Sequence, residues 1–274
     1  MSWTELSPSA LLLEARDDTL FITLNRPQAR NAMSLKMVDE IMAVFSAIEN
    51  DPAIRTVVFR GAEGHFCAGG DIKDMAMAGE PPDGPSTLEN DKLAQVNRRF
   101  GDMLLQVNHA PQAVVALLEG VVLGGGFGLA CVSDVALCLS NCRFGLPETS
   151  LGVIPAQIAP FIVQRLGMTQ ARRLAVTGGR FDGQVALQIG LVHQTCDDTE
   201  VLEAALAETL VAIDKCAPSA LRQTKALVMS LNPKDLSEAL DQAAVDFAMA
   251  ARSAEGMEGF GAFIEKRPAS WQKK

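Results

Sequence analysis

The sequence predicts an α/β protein in which a core of parallel strands and helices, residues 1–200, is followed by an all-helical region, residues 201–274. In the first part, short apolar runs typical of strands alternate with glycine-rich loops and helical segments, which is the order of parallel strands joined by right-handed crossovers. After Pro155 the spacing of apolar residues becomes helical. The helices predicted there are 159–166, 169–176, 183–189, 199–216, 218–230, 234–252 and 255–266.

Turn and capping residues predict the elements that precede this helical part. Leu11–Glu14 and Thr19–Leu24 are typical of two strands in a hairpin, because a charged turn lies between them. Ser34 is a suitable N-cap for a helix over Leu35–Glu49, whose apolar residues recur at helical spacing. The other elements predicted here are strands over 56–60 and 113–118, a helix over 91–109 and the start of a buried helix over 127–132.

Residues 78–90 contain three prolines and two glycines and show no periodic apolar pattern. Such composition is typical of a loop without regular structure. We therefore expect a mobile loop in this part of the chain, between the first glycine-rich loop and the helix over 91–109.

The composition argues against several classes of protein. Hydrophobic residues make up 48% of the chain and charged residues 21%, which is typical of a globular protein and not of a disordered one. A net charge of −9 argues against nucleic acid or an anionic membrane as the main partner. No apolar run approaches the roughly 20 residues that a membrane-spanning helix needs.

The cysteines and histidines predict no metal site. The six cysteines form no CxxC pair, and His65, His109 and His193 lack the spacing of metal ligands. Most of the cysteines lie in apolar stretches, and the N-terminus lacks a basic segment leading into an apolar one. We expect reduced thiols and a cytoplasmic location.

Two glycine-rich stretches follow predicted strands and carry the functional argument. The first, HFCAGGDIKDM, spans residues 65–75, and the second contains Gly124, Gly125 and Gly126. Glycines at the end of a strand let the backbone approach a ligand closely, and the first N–H groups of a following helix are free to bind an anion. Two such junctions can each offer one N–H group to the same oxygen, which is the minimum for an oxyanion hole.

A single carboxylate follows the second glycine stretch. Glu148 comes directly after Pro147 in the segment FGLPE, so its position is fixed by a rigid turn. An anion-binding helix end next to a carboxylate suits chemistry that passes through an enolate.

Together these motifs resemble the crotonase superfamily, also called the enoyl-CoA hydratase/isomerase family. The resemblance rests on FCAGGDIKDM, GVVLGGGFGLA and FGLPETSLGVIP, in this order, and extends from residues 20–34 to residues 255–271. It implies a superhelix of repeated ββα turns with a C-terminal helical trimerisation region. It also implies an acyl-CoA thioester as substrate, a homotrimer or a dimer of trimers, and no metal or redox cofactor, since coenzyme A enters as part of the substrate.

The resemblance implies a role for several residues. Ala68 and Gly125 are expected to donate their backbone N–H groups to the thioester oxygen, and Glu148 matches one of two glutamates that the hydratases use for acid–base chemistry. The segments expected to bind coenzyme A contain Gln28, Arg30, Ala68, Gly69, Gly70, Asp71 and Ile72, with Phe263 and Lys266 reaching the coenzyme A of a neighbouring subunit. Asp71 is better suited to cap the helix that begins at Ile72 than to bind a phosphate.

The chain departs from the family pattern at one position. Hydratases carry their other glutamate where this chain has Gly128, so either another group holds the attacking water or the reaction is not hydration. Gln157 and Glu119 are candidate substitutes, although Glu119 is better explained as a structural acid beside the glycine loop. Gly128 combined with the segment IPAQIAPFIVQRLG resembles the branch that hydrates methylglutaconyl-CoA and isohexenylglutaconyl-CoA.

Three functions therefore remain open at this stage. The interpretation we favour is a hydratase that adds water to a 2-enoyl-CoA thioester with Glu148 transferring the proton. A Δ3,Δ2-enoyl-CoA isomerase would use the same residues without water. A catalytically silent homologue acting as an assembly or binding subunit is the third alternative, and the presence of Glu148 argues against it.

Overall fold

The computed structural model describes residues 2–77, 79–216, 218–230 and 236–268. The nine strands of these residues are β1 (Leu11–Arg16), β2 (Thr19–Leu24), β3 (Thr56–Gly61), β4 (Ala113–Leu118), β5 (Val121–Leu123), β6 (Val135–Leu139), β7 (Arg143–Gly145), β8 (Arg180–Phe181) and β9 (Gln194–Cys196). The ten α-helices described are α1 (Leu35–Ile48), α2 (Ile72–Ala76), α3 (Lys92–Asn108), α4 (Gly125–Cys131), α5 (Ala159–Thr177), α6 (Gly183–Gln188), α7 (Thr199–Asp214), α8 (Pro218–Ser230), α9 (Leu236–Arg252) and α10 (Ala254–Ile264).

The main sheet has six strands in the order β1-β2-β3-β4-β6-β9. The predicted hairpin is present, with β1 two residues longer than expected and antiparallel to β2. The remaining pairs are all parallel, which confirms the parallel core predicted from the alternation of strands and helices. Its central strands read as continuous apolar runs because helices cover both faces; all six residues of β4 are buried.

A second, smaller sheet positions the two glycine loops. It has the order β5-β7-β8, and β5 and β7 are parallel. The first glycine stretch continues it, since Cys67 forms a parallel bridge with Val122 of β5 and Gly70 forms another with Met33. Strands that run in the same direction end at the same edge. The glycines after Cys67 and those after β5 therefore meet at one edge of this sheet.

The sequence did not predict the short strands β5 to β9. Each contains two to five residues, too few to show a clear apolar alternation. One helix also differs from expectation. Helix α4 begins at Gly125 and not at Phe127, because Gly124 takes the positive φ (46°) that starts the helix directly after β5. The two helices predicted over 159–166 and 169–176 are the two parts of α5, which are separated by the non-helical backbone of Gly167 (φ 72°, ψ 161°).

The C-terminal helices pack against the α/β core of the same chain. Helix α7 covers one face of the main sheet through Leu202, Ala205 and Leu206, which join a buried cluster with sheet residues such as Val115. Helix α9 packs along α3, with Phe247 and three alanines in the shared apolar cluster. Helix α7 therefore packs with the sheet although most of it lies beyond residue 200. The predicted boundary at residue 200 stays a prediction. In the described residues, no helix is long and apolar enough to cross a membrane.

Candidate active site

The two glycine loops meet, as predicted from the sequence. A Cβ atom placed on Gly125 would lie 3.6 Å from the Gly70 nitrogen, and one placed on Gly124 would lie 3.6 Å from the Gly69 Cα. The close approach needs glycine on both sides, since Gly69 and Gly124 also have positive φ angles of 107° and 46°. The backbones after Cys67 and after β5 therefore form one joint surface.

One of the two predicted N–H donors is not free. The Ala68 N–H group donates to the Arg30 carbonyl oxygen at 3.0 Å, so the predicted role of Ala68 as a donor to substrate is not supported. The cause is the bridging of the first glycine stretch to residues 30–33, which uses the backbone of Ala68. The motif match had placed the donor at the alanine of FCAGG, two residues too early.

Gly70 takes the place of Ala68 as a candidate donor. Its neighbours are engaged, because the Gly69 carbonyl accepts from Met33 N–H at 2.8 Å and Asp71 N–H donates to the Met33 carbonyl at 2.9 Å. In the described residues, neither the Gly70 N–H nor the Gly125 N–H has a hydrogen-bond acceptor. Gly125 is also the first residue of α4, where backbone N–H groups have no partner within the helix. A sequence signal existed, since Gly70 follows a glycine that can take positive φ.

Glu148 lies over the second glycine loop. It begins a 3₁₀ helix, Glu148–Leu151, directly after Pro147. A Cβ atom on Gly124 would lie 2.7 Å from Glu148 Oε1, so the carboxylate rests on that glycine. The other oxygen, Oε2, is buried, and none of the described residues forms a hydrogen bond to it. Burial raises the pKa of Glu148 from its ordinary 4.5 to about 7.

Phe100 of α3 packs against the second glycine loop. A Cβ atom on Gly125 would lie 3.2 Å from Phe100 Cζ, so the ring lies beside the Gly125 backbone. Phe100 is not among the site residues predicted from the sequence. No sequence signal distinguishes it from the other apolar residues of α3.

The position of the missing family glutamate is filled by apolar side chains. A Cβ atom on Gly128 would lie 2.4 Å from Ile158 Cγ2 and 3.4 Å from Leu104 Cδ1. Ile158 is buried, and its methyl group therefore occupies the space into which a side chain at 128 would grow. Gly128 thus packs α4 against α3 and the chain before α5.

The two candidate substitutes for that glutamate lie in different places. Gln157 is only 2% exposed, and its Nε2 donates to Asn97 Oδ1 at 3.0 Å. Glu119 lies in the turn between β4 and β5, where its carbonyl oxygen accepts from the Phe66 N–H at 2.8 Å. This backbone pairing agrees with a structural position for Glu119 beside the first glycine stretch.

The residues predicted to bind coenzyme A lie around the first glycine loop. Gln28 and Arg30 are exposed, and the Arg30 carbonyl is the acceptor for Ala68. Asp71 Oδ1 accepts from Lys73 N–H at 3.0 Å, as expected for a cap of the helix that begins at Ile72. Its Oδ2 pairs with Arg26 Nη2 at 2.7 Å. Both oxygens of Asp71 are therefore engaged by the protein, and contacts of this region with a ligand stay a prediction.

Phe263 and Lys266 lie at the end of α10. Phe263 is 56% exposed. Lys266 lies in the turn that follows, and its N–H group donates to the Phe263 carbonyl oxygen at 3.2 Å. Their contact with the coenzyme A of a neighbouring subunit stays a prediction. In the described part of the chain, no three His, Cys, Asp or Glu side chains are arranged to hold a metal ion.

Comparisons with known proteins assign the family. The family model for enoyl-CoA hydratase/isomerase matches residues 14–274. Among solved structures, the chain is similar to Pseudomonas aeruginosa AtuE, with 54% identity, a TM-score of 0.77 and coverage of 97% of this chain and 100% of the other. An enoyl-CoA hydratase/isomerase from Marinobacter aquaeolei is 52% identical, with a TM-score of 0.79 and coverage of 96% and 98%.

A relative at lower identity spans the same length. The carnitinyl-CoA dehydratase of Proteus mirabilis is 30% identical over 268 residues, which are 96% of this chain and 98% of the relative. The family resemblance in the glycine loops and the FGLPE segment therefore extends over nearly the whole chain and its fold. The chain belongs to the enoyl-CoA hydratase/isomerase family, within the crotonase superfamily.

Proposed function

We propose that this protein is a hydratase that adds water across the double bond of a 2-enoyl-CoA thioester. The observation that carries the proposal is the position of Glu148, a buried carboxyl group resting on the glycine loop that ends in the Gly125 amide. A pKa of about 7 leaves both the acid and the base form populated near neutral pH, as a proton-transfer group requires.

The first role of the site is to stabilise negative charge on the thioester oxygen. The N–H groups of Gly70 and Gly125 are the candidate donors, since both lack an acceptor in the described structure and the two loops adjoin. Fixed backbone donors of this kind act where charge develops, and loss of one typically costs about 3 kcal/mol of transition-state stabilisation.

The second role is proton transfer. The ionised Glu148 takes a proton from water while the water oxygen bonds to the β-carbon, and the electron pair of the double bond moves to the enolate. The protonated carboxyl group then returns the proton to the α-carbon, so that the thioester carbonyl re-forms and Glu148 is ionised again. One carboxylate therefore suffices for the balance of atoms, and coenzyme A remains attached throughout.

A glutaconyl-type acyl group is the substrate we favour within this reaction. The support is the residue-level resemblance of Gly128 and the IPAQIAP segment to the hydratases of methylglutaconyl-CoA and isohexenylglutaconyl-CoA. The packing of Ile158 on Gly128 agrees with a site built without the second acid. We also propose a cytoplasmic location, because all six cysteines are free thiols.

The same packing is also compatible with a second function, isomerisation of an enoyl-CoA ester. A Δ3,Δ2-enoyl-CoA isomerase needs a single carboxylate to move a proton along the acyl chain, and this site offers no second acid at position 128. The test is to incubate the protein with straight-chain enoyl-CoA, 3-enoyl-CoA, methylglutaconyl-CoA and isohexenylglutaconyl-CoA esters. Products that gain the mass of water support the hydratase. Conversion of the 3-enoyl ester to its 2-enoyl isomer, with no hydrated product from any ester, would instead identify the protein as an isomerase.

A further inference from the structure

The Glu148 carboxylate is carried on a single tight turn. The 3₁₀ helix Glu148–Leu151 is closed by a backbone hydrogen bond in which the Val153 N–H group donates to the Glu148 carbonyl oxygen at 3.0 Å. Leu151 is the last residue of this helix and lies only three residues from Glu148. A displacement of the Leu151 backbone therefore also moves Glu148.

Helix α10 contacts this turn through a glycine. Gly259 is buried, and a Cβ atom on it would lie 1.8 Å from the Leu151 carbonyl oxygen, 2.3 Å from the carbonyl carbon and 2.9 Å from the Leu151 Cα. All three distances are well below van der Waals contact. The three atoms belong to the backbone, so they cannot rotate away as a flexible side chain can. Glycine at 259 is thus what allows α10 to lie directly on the turn.

The packing of α10 holds it against the turn. Phe260, the residue after Gly259, packs against the buried apolar cluster of α3 and α9, and Leu151 packs against the same cluster. Ala262 of the same helix is also buried. A side chain at 259 would therefore have to displace the turn, the helix or both from places that this cluster fixes.

A second contact fixes the turn from α5. Thr149, the residue after Glu148, donates its hydroxyl group to the Ala175 carbonyl oxygen at 3.1 Å, near the end of that helix. The turn is thus held by α5 through Thr149 and by α10 through Gly259. Such support matters for proton transfer, since a misplacement of about 1 Å can cost about 10²-fold in rate.

We propose that Gly259 of α10 is a positioning residue of the active site and that, together with Thr149, it fixes the place of the Glu148 carboxylate over Gly124. The inference rests on the proposed function, in which Glu148 transfers the proton, and extends it to the last helix of the described chain. Both residues act on the reaction through the backbone of the turn.

The test makes the same substitution at two glycines of α10. Gly259→Ala meets the Leu151 backbone, whereas a Cβ atom on Gly261 would have no atom of another described element within 4 Å. Gly261→Ala is therefore the matched control. The value of kcat is measured with the enoyl-CoA esters that wild type converts. Calorimetry gives the Kd of butyryl-CoA, a saturated ester without a double bond to hydrate, and urea unfolding establishes that each variant is folded.

We expect Gly259→Ala to lower kcat about 10- to 100-fold while the Kd of butyryl-CoA stays within about threefold of wild type, because the Gly70 and Gly125 amides are untouched. The pH at which kcat/KM levels off should move down from about 7, since a displaced carboxylate is less completely buried. Gly261→Ala should change none of these quantities. A folded Gly259→Ala with normal kcat would overturn the inference, as would a loss of kcat matched by an equal loss of butyryl-CoA binding or an equal loss of kcat in Gly261→Ala.

A second pair of variants tests the contact with α5. Thr149→Val should lower kcat about three- to tenfold, whereas Thr149→Ser keeps the hydroxyl group and should retain wild-type kcat. If Gly259→Ala does not fold, normal kcat in Thr149→Val would overturn the inference by itself.

Glu148→Gln in the same assay separates the inference from the proposed function. A loss of kcat in Glu148→Gln with none in Gly259→Ala or Thr149→Val would overturn the inference alone. Normal kcat in Glu148→Gln, or a wild type that converts none of the four esters, would overturn both.

Discussion

The substitution Glu148→Gln tests catalysis and stability at the same residue. Glutamine keeps the shape and a hydrogen-bonding tip but removes the titrating group. We expect turnover of enoyl-CoA to fall about 10²-fold or more, since general acid–base groups contribute 10²–10⁴. Binding of the CoA ester should persist, because the Gly70 and Gly125 amides are untouched. The assay is the loss of ultraviolet absorbance of the conjugated thioester, with calorimetric titration for binding.

The pH dependence of both properties follows from the raised pKa. Because the ionised form starts the reaction we propose, kcat/KM should rise about tenfold per pH unit below 7 and level off above it. For stability, the folded state holds the Glu148 proton between pH 4.5 and about 7 while the unfolded chain has released it. The free energy of unfolding contributed by this group is therefore greatest below pH 4.5 and falls as pH rises through that window.

The magnitude of the stability effect follows from the same shift. The difference 7 − 4.5 is 2.5 pH units, and at 1.36 kcal/mol per unit the cost of burying the ionised group is about 3 kcal/mol above pH 7. Glu148→Gln removes this cost. In urea unfolding the variant should match wild type at pH 4.5 and exceed it by up to about 3 kcal/mol at pH 8.

An exposed glutamate gives the matched control. Glu208→Gln, on the outer side of α7, should change neither turnover nor the pH dependence of unfolding by a comparable amount. Near-normal turnover in Glu148→Gln would refute the one-carboxylate mechanism. A stability difference that stays constant between pH 4.5 and 8 would refute the burial of an ionisable group at this position.

Three further substitutions or measurements test other parts of the structure. Gly128→Glu should abolish activity and lower the free energy of unfolding by about 3 kcal/mol, because the new side chain meets Ile158; raised hydration of crotonyl-CoA in this variant would contradict the packing. Arg252→Met should cost about 3–5 kcal/mol in urea unfolding by leaving the buried Asp91 unpaired, and a loss below about 0.5 kcal/mol would count against that ion pair. Light scattering should give the mass of three or six copies, since Phe263 and other apolar side chains of the C-terminal helices are exposed, and a monomer at micromolar concentration would contradict this.

The sequence predicted the larger features of the fold and the meeting of the two glycine loops. Long periodic segments such as α1 and α3 were recognisable because their apolar spacing and caps are strong local signals. The parallel core followed from the alternation of strands and helices. The strands of the second sheet were not recognisable, because pairs as short as β7 with β8 depend on neighbours distant in the chain.

The identity of the amide donor shows where motif reasoning reached its limit. A motif match assigns a donor by position, whereas the hydrogen bonding of a backbone amide depends on which strand lies beside it. Residues 30–33 run beside the first glycine stretch and use the Ala68 N–H, and nothing in the local sequence announces that pairing. The N–H groups of Ala68, Gly69 and Asp71 each have an acceptor, and in the described residues that of Gly70 has none.

The missing acid and the glycines of α3 and α4 are explained by the same packing. A side chain at 128 is excluded by Ile158, and one at 101 is excluded by Gln157, the residue next to it in the chain. Two consecutive residues before α5 therefore fill the spaces of two absent side chains on two different helices. Restoring the family glutamate would displace Ile158 and, through the adjacent backbone, the hydrogen bond from Gln157 to Asn97. The absence of an acid at 128 and the hydrogen bond from Gln157 to Asn97 are thus coupled through two adjacent residues.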